Sequence, residues 1–305
     1  MMNRPVRIAS IIGPRERPEE FLRQAKLAAA QHPDLIVLPE MWQPAASETV
    51  DSPTIARLRA LAREGRCYII HPTLLREAGA RYNTALLIDR SGEIAGRYDK
   101  LYPYWEEFTP DEDGLRCTPG QRNGVFDCDF GRIAIRICFD ANFPGIWVEA
   151  AEQGAELLLW PSAYAAGTQL MAHALNHHFP IVTSTLSGNC MAFDIDGERI
   201  LNVRGGGHFT QWITLDLDRC IFHENFNEDK LAVLLAENPR RVEVERRMPD
   251  EQWILLRAAR PGVSARKACQ EAGMEELREY KRRSRMEIDE MRRGSTALRR
   301  EEVPT

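Results

Sequence analysis

Three side chains in this sequence are of types that cooperate in nucleophilic catalysis, and each stands at the end of a short strand-like run, apolar in two of the three. Asp34-Leu-Ile-Val-Leu-Pro-Glu40 delivers a carboxylate, Gly96-Arg-Tyr-Asp-Lys100 an ammonium, and Arg132-Ile-Ala-Ile-Arg-Ile-Cys138-Phe-Asp a thiol. A thiol attacks an amide or nitrile carbon as thiolate, so something must take its proton. A carboxylate kept from water has a raised proton affinity, which suits Glu40 to that task. An ammonium near the reacting carbon stabilises the oxyanion that develops there. Singly the residues say little, because most lysines are solvated and a cysteine in an apolar strand is commonly core. Their contexts, taken together, carry the reading.

Those contexts resemble the nitrilase superfamily of carbon–nitrogen hydrolases, in its amidase-like branch, over roughly residues 5–220. The resemblance lies in Leu38-Pro39-Glu40, in Lys100-Leu-Tyr-Pro103 and in Ile137-Cys138-Phe-Asp140-Ala-Asn-Phe143-Pro144, in that chain order. It implies an α/β fold of a specific kind, a four-layer α-β-β-α sandwich. It implies Cys138 as nucleophile, Glu40 as base and Lys100 as oxyanion stabiliser, helped by the backbone N–H of Phe139. A second glutamate is expected in the loop Tyr102–Gly120, which holds Glu106, Glu107 and Glu112. Counting forward from the lysine favours Glu107 and counting back from Pro119-Gly120 favours Glu112; Glu107 is taken. Phe139, Trp160, Ser162 and Tyr164 are the expected substrate contacts, with Trp160 equally suited to the core. Asn83 matches a position read as structural.

The resemblance also bears on the substrate. Family members acting on N-carbamoyl amino acids carry arginines soon after the nucleophile, where this chain has Ala141 and Asn142; Arg136 is a conceivable substitute. Nitrilases often have Trp-Glu after the cysteine, where this chain has Phe139-Asp140. A carboxamide, cleaved through a thioester, is therefore expected, with nitrile or N-carbamoyl hydrolysis as the alternative. No cofactor is expected, and the family's habit implies a homo-oligomer.

Composition sets the limits. Hydrophobic residues make up 44% of the 305 and charged ones 28%, as in ordinary globular proteins. A formal net charge of −5 gives no reason to expect nucleic acid or an anionic membrane. No apolar run is long enough to span a bilayer, and Met1-Met-Asn-Arg-Pro-Val-Arg leads into a strand, so a cytoplasmic location is expected. Seven scattered cysteines without a CxxC pair argue against a zinc or disulfide framework. His173 and His177 are four apart on one expected helix but lack a third ligand, so no metal site is expected.

Alternating strand and helix patterns run to about residue 225, with hairpin signals at Arg90-Ser-Gly92 and Asp129-Phe-Gly131. Residues 1–225 are read as the hydrolase domain. From 226 to 305 the reading is a helical extension, with helices at Glu228–Glu237, Asp250–Ala259 and Ser264–Arg293, packed on the body or on a neighbouring subunit. A reading from a different class treats Ser264–Arg293 as a DNA-binding or scaffold module, because Gly273 follows a short helix. Its mixture of Glu with Arg weakens attraction to phosphate.

Overall fold

A computed structural model describes residues 2–43 and 47–301, the last seven of them as backbone only. The chain divides into two compact units, Arg4–Leu217 and a second made of Met1–Asn3 with Asp218–Thr305. The expected boundary lay at residue 225.

The larger unit runs β1 (Pro5–Ile12), α1 (Pro18–Ala29), β2 (Leu35–Val37), α2 (Pro53–Gly65), β3 (Tyr68–Glu77), β4 (Ala80–Ile88) and β5 (Ile94–Asp99). It continues with β6 (Val125–Cys128), β7 (Gly131–Ile135), α3 (Gly145–Glu152), β8 (Leu157–Ser162) and α4 (Thr168–His177). It closes with β9 (Ile181–Thr185), β10 (Asn189–Phe193), β11 (Arg199–Arg204) and β12 (Phe209–Asp216). Two six-stranded sheets result, ordered β12-β1-β2-β3-β4-β5 and β11-β10-β9-β8-β7-β6. In each the central strands are parallel and the hairpins add antiparallel edges.

Strand periodicity explains the four layers. Ile8, Leu35 and Val37 of the first sheet meet Ile133, Ile135, Leu157 and Val182 of the second in one buried core. Their neighbours point the other way. Ala9 and Ile36 pack with Phe21, Leu58 and Ala62 of α1 and α2, while Ala134 and Leu158 pack with Trp147 and Leu170 of α3 and α4. Strands buried on both faces read as continuous apolar runs, and these do. The architecture is the expected α-β-β-α sandwich.

The smaller unit carries the expected helix α5 (Glu228–Glu237), while the stretch expected over Ser264–Arg293 is two helices, α6 (Ala265–Glu271) and α7 (Leu277–Glu301). It also carries strands where none were expected: β13 (Cys220–His223), β14 (Val242–Met248) and β15 (Trp253–Ala258), ordered β13-β15-β14. The expected helix at Asp250–Ala259 is thus a strand. Ile254 and Leu256 bury themselves with Leu231 and Leu234 of α5 and Ala268 of α6, and that burial overrides the helix preference of the Leu255-Leu-Arg-Ala-Ala259 run. Arginines of α7 are engaged locally, Arg283 with Glu275 and Glu287, Arg282 with Glu279, Arg292 with Asp289. No helix among the described residues is long and apolar enough to cross a membrane.

Candidate functional site

The four residues expected to do chemistry converge where strands of the larger unit stop, Glu40 after β2, Lys100 after β5 and Cys138 after β7, with Glu107 supplied by the loop beyond Lys100. The chain leaves β2 at Leu38-Pro39 and turns at Glu40, which is 2% exposed. Lys100 follows β5 directly, and its N–H donates to the Asn83 carbonyl on β4 at 2.8 Å. Its own carbonyl accepts the Gly120 N–H at 2.9 Å. A β-carbon on Gly120 would come within 2.1 Å of the Asp99 carbonyl oxygen, so only glycine allows that approach. Cys138 begins a 3-10 turn, Cys138–Asn142, just beyond β7.

Cys138 has φ +48°, a left-handed backbone that costs a non-glycine residue about 1–2 kcal/mol. The surroundings hold it there. Trp160 Nε1 donates to the Cys138 carbonyl at 3.2 Å. Asp140 accepts the N–H groups of Ile137 at 2.9 Å and Tyr102 at 3.0 Å, and the Tyr98 hydroxyl at 2.7 Å. Trp147 Nε1 donates to the Asp140 carbonyl at 3.1 Å, and the ring of His173, stacked on Trp147, reaches the Ala141 carbonyl at 2.9 Å. The strained turn therefore presents its thiol while its own backbone groups are bonded behind it. The exceptions are the N–H groups of Cys138 and Phe139, which have no hydrogen-bond partner among the described residues.

Charged groups meet the thiol. Lys100 Nζ donates to Glu40 Oε1 at 2.9 Å and to Glu107 Oε2 at 2.6 Å. Asn83 Nδ2 bridges the same two carboxylates, at 2.7 Å to Glu40 and 2.6 Å to Glu107. The N–H of Ala163 donates to Glu40 Oε2 at 2.9 Å. Glu40, Lys100 and the Ser162 hydroxyl all act on the thiol electrostatically. Glu107 sits on the 3-10 turn Trp105–Phe108 and is the loop glutamate that reaches the lysine; Glu106 and Glu112 are exposed.

Electrostatics follow from that geometry. Burial pushes the Glu40 carboxyl up, but the charge and hydrogen bond of Lys100, with those of Cys138 and Asn83, outweigh it and hold the carboxyl below its usual 4.5. The raised proton affinity expected for Glu40 is thus corrected: a buried ammonium decides the sign. Burial works to neutralise Lys100, yet Glu40, Cys138 and Glu107 keep it charged. Burial and the Glu40 charge push the Cys138 thiol well above its usual 9.0, against the pull of Lys100. The resting site is a neutral thiol beside a carboxylate–ammonium–carboxylate cluster. Asp140, fully enclosed, is raised by burial to about 6, against the pull of its hydrogen bonds from Tyr98 and Ile137.

The other expected contacts lie differently. A cavity of about 870 Å³ opens over the cluster and is lined by Glu40, Lys100, Glu107, Cys138 and Ala163. Trp160 is fully buried behind the cysteine and supports the turn. Ser162 is also fully buried and accepts the Tyr164 N–H at 3.0 Å. Tyr164 packs edge-on against Trp160, and Phe139 against Tyr104 and Phe143. These four flank the thiol and its turn without lining the cavity. Arg136 is no substrate clamp: it is buried, donates to the Ile135 and Ile146 carbonyls, and lies over the Tyr98 ring. His173 and His177 stack with ring centroids 6.0 Å apart, and no group of His, Cys, Asp and Glu among the described residues is arranged to hold a metal.

Sequence reasoning missed three supports. Asn83 was read as structural, whereas its amide joins both carboxylates. Ala163 contributes a backbone N–H, which no side-chain pattern reveals. Asp140 was quoted as part of the cysteine motif without its anchoring task.

Comparison with known proteins agrees with the fold. The family profile described as Carbon-nitrogen hydrolase matches residues 15–221. The chloroplastic omega-amidase of Arabidopsis thaliana is 28% identical over 155 residues, 45% of this chain and 42% of that protein. The deaminated glutathione amidase of Yersinia enterocolitica is 30% identical over 131 residues, 40% of this chain and 46% of that protein. The chain spans about half the length of the curated relatives it matches. Among solved structures, Nit3 of Saccharomyces cerevisiae, a member of branch 10 of the nitrilase superfamily, shares the fold with a TM-score of 0.59. Identity there is 19%, over 78% of this chain and 98% of that one. With Glu40, Lys100, Glu107 and Cys138 all inside the matched span, the chain belongs to the carbon–nitrogen hydrolase family.

Proposed function

We propose that this protein hydrolyses a small-molecule carboxamide through a thioester on Cys138, with Glu40 as base, Lys100 as oxyanion stabiliser and Glu107 as the group that holds and orients Lys100. One observation carries the reading: a thiol on a strained turn and a buried carboxylate that is itself bonded to a buried ammonium, all lining one cavity. Family membership and amidase-named relatives support the same class of reaction.

The chemistry proceeds in two halves. The thiol attacks the amide carbon while its proton passes to Glu40. Because the thiol is raised and Glu40 lowered, that transfer is uphill at rest and accompanies attack rather than preceding it. The carbonyl oxygen takes the electron pair and is met by Lys100 Nζ and the unpaired N–H of Phe139. Glu40 then returns the proton to the departing nitrogen, and ammonia or an amine leaves. In the second half a water attacks the thioester, Glu40 takes its proton, and the acid and free thiol are released.

A pH profile tests this with a definite sign. A lowered Glu40 stays ionised as pH falls until below 4.5, and a raised Cys138 stays neutral beyond pH 9.0. In the free enzyme kcat/KM should therefore be flat from about pH 5 to 9, with its acid limb below 4.5. An acid limb at pH 6–7, as a preformed thiolate pair with a titrating partner would give, contradicts the assignment. Glu40→Gln should lower turnover at least about a hundredfold across that plateau.

The same reading takes the protein as a cytoplasmic homo-oligomer. On α7 the side chains of Ile288 and Met291, three apart on one face, are 46% and 70% exposed. Such a face gains by covering itself on a second copy. Changing both to serine should shift the mass seen by light scattering toward the monomer; a full-length monomer at micromolar concentration would remove the reason for the proposal.

A further inference from the structure

β3 opens on the apolar Tyr68-Ile-Ile and then sets a histidine on the face it shares with Ile69, which packs with α1 and α2. His71 has no exposed surface and takes no part in the chemistry above. A buried imidazole is costly unless both nitrogens are matched, and here both are. Trp42 Nε1 donates to Nδ1 at 3.3 Å, and Nε2 lies 2.7 Å from Glu48 Oε1. An indole N–H can only donate, so Nδ1 accepts and Nε2 carries the proton that faces Glu48. Glu48 Oε2 takes the Ser52 hydroxyl, whose oxygen caps α2 by accepting the Ile55 N–H at 3.2 Å.

These bonds fasten the chain that leaves the base. Glu40, Met41 and Trp42 are consecutive, and Met41 has φ +56°, a left-handed backbone that a non-glycine residue keeps only under constraint. The constraint comes from both sides. Before Met41, the Glu40 carboxylate is bonded to Lys100, Asn83 and the Ala163 N–H. After it, the buried indole of Trp42 is pinned by His71. Met41 and Ser47 both line the cavity over Cys138. Ser47 precedes Glu48, whose N–H donates to the Leu74 carbonyl and whose carbonyl accepts the Arg76 N–H, both at 2.8 Å. One imidazole thus joins the residue after Met41 to the residue after Ser47.

We propose that His71 is a positioning residue for hydrolysis: by fixing Trp42 and Glu48 together it sets the backbone that carries Glu40 and the cavity wall at Met41 and Ser47. This rests on the reading of Glu40 as the base of an amidase. His71 does not line the cavity and acts through Trp42. Its loss lets Met41 relax and eases Glu40 away from Lys100, and a displaced base costs turnover more than binding.

The test uses the best substrate among acetamide, butanamide and benzamide, with ammonia release giving kcat and KM across pH. Wild type is compared with Trp42→Phe, His71→Gln, His71→Asn and the double variant Trp42→Phe/His71→Gln, each checked by circular dichroism and melting. Asparagine offers an acceptor where Nδ1 stands, and glutamine a donor where Nε2 stands. Trp42→Phe keeps a ring in the core and stands in should His71→Gln fail to fold. Trp42→Phe and His71→Gln should each lower kcat by about tenfold or more, with KM changed by less than about threefold. The acid limb of kcat/KM should move up by about one pH unit, because a Glu40 carboxylate farther from Lys100 is held down less. The double variant should be no worse than the poorer single one, since both remove the same bond. His71→Asn should recover most of the kcat that His71→Gln loses. Wild-type kcat and acid limb in folded Trp42→Phe or His71→Gln, with only the melting temperature lowered, overturn the role of His71. Losses that multiply in the double variant overturn it too. Turnover by wild type upholds the amidase reading whatever the variants do, and ammonia from none of the amides with wild type overturns both.

Discussion

Replacing Cys138 by serine is expected to lower turnover by about four orders of magnitude or more, the scale seen when a nucleophile is removed from a working constellation. The hydroxyl would occupy the same strained turn, in the same surroundings of Glu40, Lys100 and Ser162. It would still fail, because a hydroxyl gives up its proton far less readily than a thiol and Glu40 is held as a weak base by Lys100. The loss should come without loss of fold. The turn is fastened by Trp160, Asp140, Trp147 and His173, none of which bonds the thiol. Circular dichroism and a melting curve close to wild type, beside absent ammonia release, are the expected pair of results. Substantial turnover in a folded Cys138→Ser protein would remove the nucleophile from the account.

Lys100→Met is expected to damage both activity and stability. The methionine fills much of the same volume but leaves Glu40 and Glu107 facing each other with no counter-charge, Glu40 at 2% exposure. Breaking a buried ion pair on one side costs about 3–5 kcal/mol, and losing one oxyanion donor costs about two to three orders of magnitude in turnover. The pH dependence of the stability loss carries the diagnosis. Without the ammonium, burial would raise the Glu40 carboxyl above its unfolded value. A raised carboxyl favours the folded state below the unfolded pKa, and that benefit is lost as pH rises through the folded pKa. The deficit against wild type should accordingly be largest at pH 8 and shrink toward pH 5, read as the difference in denaturant midpoint. A deficit that does not change with pH would mean that Lys100 acts by packing alone.

How much of this could be read in advance follows from the kind of information each feature needs. Apolar runs ending in Glu40 and Cys138 were legible because a strand buried on both faces must be apolar and a functional group must stand where it stops. Lys100 was legible through order and context. The choice among Glu106, Glu107 and Glu112 was not, because it depends on how the loop folds back over Lys100, and only the 3-10 turn at Trp105–Phe108 directs Glu107 inward. The sign of the Glu40 shift was misjudged for a related reason: burial alone predicts a rise, and Lys100 at 2.9 Å reverses it. Ala163 acts through a backbone N–H, to which any residue but proline could contribute. In the smaller unit, Trp253-Ile-Leu-Leu-Arg-Ala was too short a run for periodicity to separate strand from helix, and its partners Cys220–His223 lie far away in sequence.

The most direct measurement of the central claim is the covalent state of Cys138 during turnover. The protein is mixed with a panel of small carboxamides, ammonia is followed, and portions are quenched in acid for intact-mass and peptide-mapping analysis, with hydroxylamine added to a parallel series to intercept acyl groups. The account predicts ammonia release, an acyl group on the peptide bearing Cys138 or its capture as hydroxamate, and neither from Cys138→Ala. Ammonia release that survives Cys138→Ala, or an acyl group found on another residue, would contradict it.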